Sequence, residues 1–161
     1  IAASTEILLL LLLLSRFAMP ALVDILLVED NPADVRLAQE TLHIYKLQNV
    51  LHVVNNGRDA LRYLRGEGPF CARRMPDLLM LDLNLPVMDG VEVLEELAGD
   101  LQLKELPVVI LASTRLDEKL LRRYNISTDC FILKPLTLER YLDAIRCFPQ
   151  FGLSIVRVAE A

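Results

Sequence analysis

Asp82 interrupts an otherwise apolar run, LLMLDLNLP, that begins at Leu78 and ends at Pro86. The run gains nothing from a charge, so that carboxylate is a candidate nucleophile or metal ligand. Glu29-Asp30 closes a second apolar run, DILLV, and Lys134-Pro135 closes a third that ends in FIL. Three carboxylates brought together repel one another unless a cation lies among them. Hard oxygen donors without histidine or cysteine suit Mg²⁺, which keeps several waters and needs only one or two protein carboxylates plus a phosphate oxygen. A lysine at the same edge can neutralise an incoming phosphoryl group. Nucleophile, divalent cation and lysine together are an apparatus for forming an aspartyl phosphate.

These groups must be carried to one place by the elements around them. Leu78 to Leu81 reads as a strand covered on both faces, and Pro86 with Asp89-Gly90 ends it in a turn. In an open parallel sheet, ligands gather at the carboxyl ends of the strands, where Asp82 falls. Asp24 to Val28, Val50 to Val54, the VVILA run after Pro107, and Asp129 to Leu133 supply four more strands. Asn31 is a helix N-cap with Pro32 at the first position, and Asp34 stands where it can cap in return. That helix has Val35, Ala38, Leu42 and Tyr45 as its apolar stripe. The helix after Asn56-Gly57 carries Ala60, Leu61 and Leu64. The one after Gly90 sets Val91, Leu94 and Leu97 against Glu92, Glu95 and Glu96. A fourth helix opens at Ser113 or Thr114 with Asp117 in its first turn, and a fifth opens at Thr137, bearing Leu138, Tyr141, Leu142 and Ile145. A long loop, Gly66 to Pro76, precedes the central strand. Strands alternating with helices make an α/β unit with right-handed crossovers.

A length of 161 residues suits one domain with a self-sufficient core. The net charge of −5, with no basic block, argues against nucleic acid as a partner. Cys71, Cys130 and Cys147 lie far apart with no C-x-x-C spacing, which reads as structural thiols in a reducing, cytoplasmic setting. Residues 1–18 differ from the rest. Ile7 to Leu14 is apolar throughout but too short to span a membrane, and Glu6 stands where a signal peptide would be basic. They read as an extension outside the fold, with the domain over 19–148 and a tail over 149–161.

The VED at Val28 to Asp30, the DLNLPVMDG run, PVVIL from Pro107 and LKP at Leu133 to Pro135 together resemble the receiver domain of two-component response regulators. The resemblance implies a doubly wound five-stranded parallel sheet in the order 2-1-3-4-5 with five helices. It also implies Asp82 as phosphoacceptor, and Glu29, Asp30, Asp82 and the backbone carbonyl of Asn84 around Mg²⁺. Lys134 would bind the phosphoryl oxygens, and Phe131 falls at the family's aromatic switch position. The partner implied is a sensor histidine kinase. The DLNLP wording, the long loop after the second helix and the aromatic tail resemble single-domain regulators that serve bacterial phytochrome kinases. One position departs from the family: Ala112 stands where a threonine or serine is usual, with hydroxyls following at Ser113 and Thr114.

Other functions of this fold fit less well. A haloacid-dehalogenase-type phosphatase wants an acid two residues after its nucleophile, and Asn84 is not one. A flavodoxin-like cofactor module would need hydroxyl or glycine donors where Glu29 and Asp30 put negative charge. A degenerate receiver, binding partners without phosphorylation, is disfavoured by the complete acidic trio and lysine. The reading is therefore a signalling protein and not an enzyme, acting through another protein. Tyr141, Phe148, Phe151, Leu153, Ile155 and Val156 offer apolar surface for a homodimer through the last two helices and the tail.

Overall fold

β1 (Val23–Val28) and β3 (Leu78–Asp82) lie side by side at the centre of a parallel sheet, since each is apolar on both faces. Ile25 to Val28 and Leu78 to Leu81 are all at most 1% exposed. β2 (Asn49–Val54), β4 (Val108–Ala112) and β5 (Phe131–Leu133) complete the order β2-β1-β3-β4-β5. The computed structural model describes residues 22–44, 49–114, 131–137, 139–140 and 143. Three α-helices lie whole within them, α1 (Pro32–Ile44), α2 (Gly57–Arg65) and α3 (Gly90–Gly99), with a 3-10 turn at Gly68–Phe70. The fourth helix expected from Ser113, and the stripe expected after Thr137, lie outside the described residues.

The strands alternate their side chains between two cores. Ile25, Leu27, Leu78 and Met80 pack with Ala38 and Leu42 of α1 on one face. Leu26, Val28, Leu79 and Leu81 pack with Leu61 and Leu64 of α2 and Val93, Leu94 and Leu97 of α3 on the other. Helices on both faces make the sheet doubly wound, as expected. The expected face of α3 is turned slightly: Val93 is fully buried, whereas Val91 is only half-buried at the margin of that core.

The α2–β3 loop is tied down by a contact with no local sequence signal. The Arg73 guanidinium donates to the carbonyls of Tyr63 (2.7 Å) and Leu64 (2.5 Å) in the last turn of α2, adding to the Gly66 N–H that Tyr63 already accepts. Gly66, at φ 68°, closes the helix in the left-handed conformation.

The β3–α3 turn brings backbone against backbone. A Cβ at Gly90 would sit 2.4 Å from the Asp82 carbonyl oxygen, and one at Gly57 2.4 Å from that of Met88. Both glycines are therefore required by close backbone approach. Between them Val87 takes φ 69°, and Met88 N–H donates to the Pro86 carbonyl at 2.7 Å, a γ-turn of the rare positive-φ kind. A β-branched residue is strained there, and Val87 is 71% exposed, so it gains little burial in return. Val87→Gly should stabilise the fold by about 1 kcal/mol, the relief of strain exceeding the extra entropy of an unfolded glycine. An unchanged or lower melting temperature would count against it.

Candidate functional site

Strand register brings the charged groups together. Val28 pairs with Leu81, so Glu29 leaves β1 level with Asp82. Asp82 pairs with Leu111, and Ala112 with Leu133, so Lys134 leaves β5 at the same edge. Lys134 N–H donates to the Ala112 carbonyl at 2.9 Å, extending the ladder one step, and a cis Lys134-Pro135 bond follows. Glu29 N–H likewise donates to the Val54 carbonyl at 3.0 Å. The backbone of both residues is thus fixed by the sheet itself.

Glu29 and Asp82 are 2% and 3% exposed, while Asp30 is open to solvent. One carboxylate oxygen from each of the three lies within 4.8 Å of the others. Asp82 Oδ1 accepts the backbone N–H of Asn84 at 2.9 Å, and Oδ2 accepts from Lys134 Nζ at 2.6 Å. Glu29 Oε1 accepts the Asn31 N–H at 3.0 Å. Its Oε2 is 2.5 Å from Lys134 Nζ, an ion pair off the donor directions, and accepts no hydrogen bond.

Burial pushes the Glu29 carboxyl above the usual glutamate range, and repulsion from Asp82 adds to it. The Lys134 contact and the Asn31 N–H offset part of that rise. Burial alone would discharge Lys134. Close contacts with the carboxylates of Asp82, Glu29 and Asp34 outweigh it and hold the ammonium well above the ordinary lysine value. The pocket is short of positive charge, and a crowded set of carboxylate oxygens, one without a donor, fits a divalent cation.

Residues 25–146 match the response regulator receiver domain family. The chain belongs to that family. The receiver is 34% identical to Response regulator Rcp1 of Synechocystis sp. over 137 residues, 85% of this chain and 93% of that protein. Rcp1 itself has been solved in a Mn²⁺-bound form. The fold is similar to the bacteriophytochrome response regulator AtBRR, with a TM-score of 0.74 and 36% identity over 88% of this chain and 100% of that one. It is also similar to a phosphorylated cyanobacterial phytochrome response regulator, RcpA, with a TM-score of 0.68 and 39% identity over 83% and 96%. The receiver is thus a two-component signalling protein and not an enzyme, related to phytochrome response regulators.

The structure brings together Glu29, Asp30, Asp82 and Lys134 from the set expected of the sequence. Asn84 stands exposed on the turn beside Asp82. Ala112 is fully buried, Ser113 is exposed and Phe131 is half-buried against the α2–α3 core. Asp34 stands in the first turn of α1 as expected, but with a partner that sequence reasoning missed. It does not cap in return, because the Asn31 N–H is already taken by Glu29. Its Oδ2 instead accepts from Lys134 Nζ at 3.0 Å and from Asn31 Nδ2 at 3.2 Å. The available signal was position: the first turn of α1 follows the acid pair directly and so faces the same edge.

No described helix is long and apolar enough to cross a membrane.

Proposed function

We propose that this receiver accepts a phosphoryl group on Asp82 from a sensor histidine kinase, in a Mg²⁺-dependent reaction, and signals through contact with another protein. The observation that carries this reading is Asp82 itself, buried, and bonded to Lys134 beside an acid pair that fits a cation. A carboxylate oxygen of Asp82 attacks phosphorus as the bond from phosphorus to the donor's nitrogen breaks, and the nitrogen keeps the electron pair. The Asn84 N–H holds Oδ1 and so fixes the carboxylate plane. Lys134 shifts from the free carboxylate to the phosphoryl oxygens, where a charge-assisted bond is strongest. Mg²⁺, when held by Glu29, Asp30, Asp82 and the Asn84 carbonyl, would offset the negative charge gathered on the transferring group.

The relationship to phytochrome response regulators supports a phytochrome-type kinase as the donor. Ala112 offers no hydroxyl to the phosphoryl group, so coupling to Phe131 falls to the backbone N–H or the hydroxyl of Ser113. Apolar side chains at Tyr141, Phe148 and Phe151 support a homodimer as the signalling form. The decisive experiment is intact mass after incubation with a small phosphodonor, with Mg²⁺ and with chelator. Gain of one phosphoryl group with Mg²⁺ alone is expected. No gain under either condition would leave the phosphorylation-independent binding module as the better reading.

A further inference from the structure

Lys134 touches three carboxylates, and they are not equivalent. Glu29 and Asp82 belong to the trio whose oxygens crowd together as a cation site. Asp34 does not. The ammonium and a divalent cation therefore compete for the oxygens of Glu29 and Asp82, and like charges sharing those ligands repel. Asp34 is also the most open to solvent of the three. Its side chain is 28% exposed, against 1% for Glu29 and 4% for Asp82. It sits in the first turn of α1, where the helix dipole favours an anion, and Asn31 Nδ2 steadies the same oxygen that meets Lys134.

We propose that Asp34 is a positioning residue for Lys134. It keeps the ammonium inside the pocket, and off Glu29 and Asp82, when those carboxylates are engaged by the cation. Lysine is then at hand for the phosphoryl group and need not return from solvent, where ordering its long side chain would cost entropy. The inference rests on the cation-dependent phosphoacceptor reading and adds to it a residue that the capping pattern had disguised.

The test is Mg²⁺ affinity by calorimetry in the wild type, Asp34→Asn, Lys134→Met and the double variant. Asp34→Asn is expected to weaken Mg²⁺ binding about fivefold in the wild type, because lysine then clings to the metal ligands. In the Lys134→Met background the same substitution should cost no more than about twofold, the remote charge effect alone. Equal effects in both backgrounds, or tighter binding in Asp34→Asn, would overturn the proposal. A second measurement needs no Lys134 variant. At saturating Mg²⁺ the Lys134 ammonium should give a protected ¹H–¹⁵N signal in the wild type and lose it in Asp34→Asn. Protection in both proteins would equally remove the role of Asp34. Phosphoryl gain by the wild type is scored in parallel. Its absence defeats the phosphoacceptor reading and this one together, whereas an additive cycle in a protein that does take phosphate defeats only the claim for Asp34.

Discussion

An Asp82→Asn protein given Mg²⁺ and a small phosphodonor is expected to keep its unmodified mass, while the wild type gains one phosphoryl group. The loss should be complete, because an amide at this position cannot attack phosphorus and no neighbouring carboxylate can stand in for it. Glu29 is buried, paired to Lys134 and pushed toward its protonated form. Asp30 is exposed, and Asp34 stands in the first turn of α1 with its Oδ2 occupied by Lys134 and Asn31. The fold should survive, since Lys134 keeps Glu29 and Asp34 as partners and one charge leaves a crowded set. A melting curve within a few degrees of the wild type separates lost chemistry from lost structure. Phosphate gain by Asp82→Asn at the wild-type rate would mean that another side chain is the acceptor.

What the sequence made legible was the positions fixed by backbone logic. Strands buried on both faces announce themselves as apolar runs, so Asp82 stood out against Leu78 to Leu81, and the strand ends located Glu29 and Lys134. The Asn31 cap was equally plain: its side-chain oxygen accepts the Ala33 N–H at 3.0 Å. Asp34 was legible as a residue of the first helical turn but not as a partner of Lys134. An acid three residues past an N-cap has a sufficient local explanation, and the lysine lies 100 residues away. Arg73 on the end of α2 was missed for the same reason, being a side chain that caps from a loop. On α3 the helical period admits neighbouring choices of stripe, and only the packing of the helix on its core buries Val93 fully and leaves Val91 at the margin. Strain at Val87 could not be read at all, because valine rarely takes positive φ.

Lys134→Ala should have the largest effect on stability, and its size should depend on the metal. In the wild type a single ammonium lies 2.6 Å from Asp82, 2.5 Å from Glu29 and 3.0 Å from Asp34. Removing it leaves two nearly inaccessible carboxylates without a counter-charge. Breaking a buried pair in this way costs about 3–5 kcal/mol, well beyond the worth of the lysine stem. With chelator present, urea unfolding should therefore shift by that amount. With Mg²⁺ present much of the loss should return, since a cation on the same oxygens stabilises the folded state by mass action and no longer competes with an ammonium. Alkaline titration of the wild type should imitate the substitution. The folded pKa of Lys134 is raised above its ordinary 10.5, so its stabilisation is full below that pH and is lost as pH climbs through the raised value. Glu29 also has a raised pKa, but its window lies at acid pH. Protonation there favours the folded apo-protein, a contribution lost as pH rises from 4.5 through the folded value. The metal-free variant should therefore regain stability on acidification, as protons take the place of the missing ammonium. A loss of the same size with and without Mg²⁺, unmoved by acid, would mean that Lys134 acts through the packing of its stem and that the carboxylates do not need its charge.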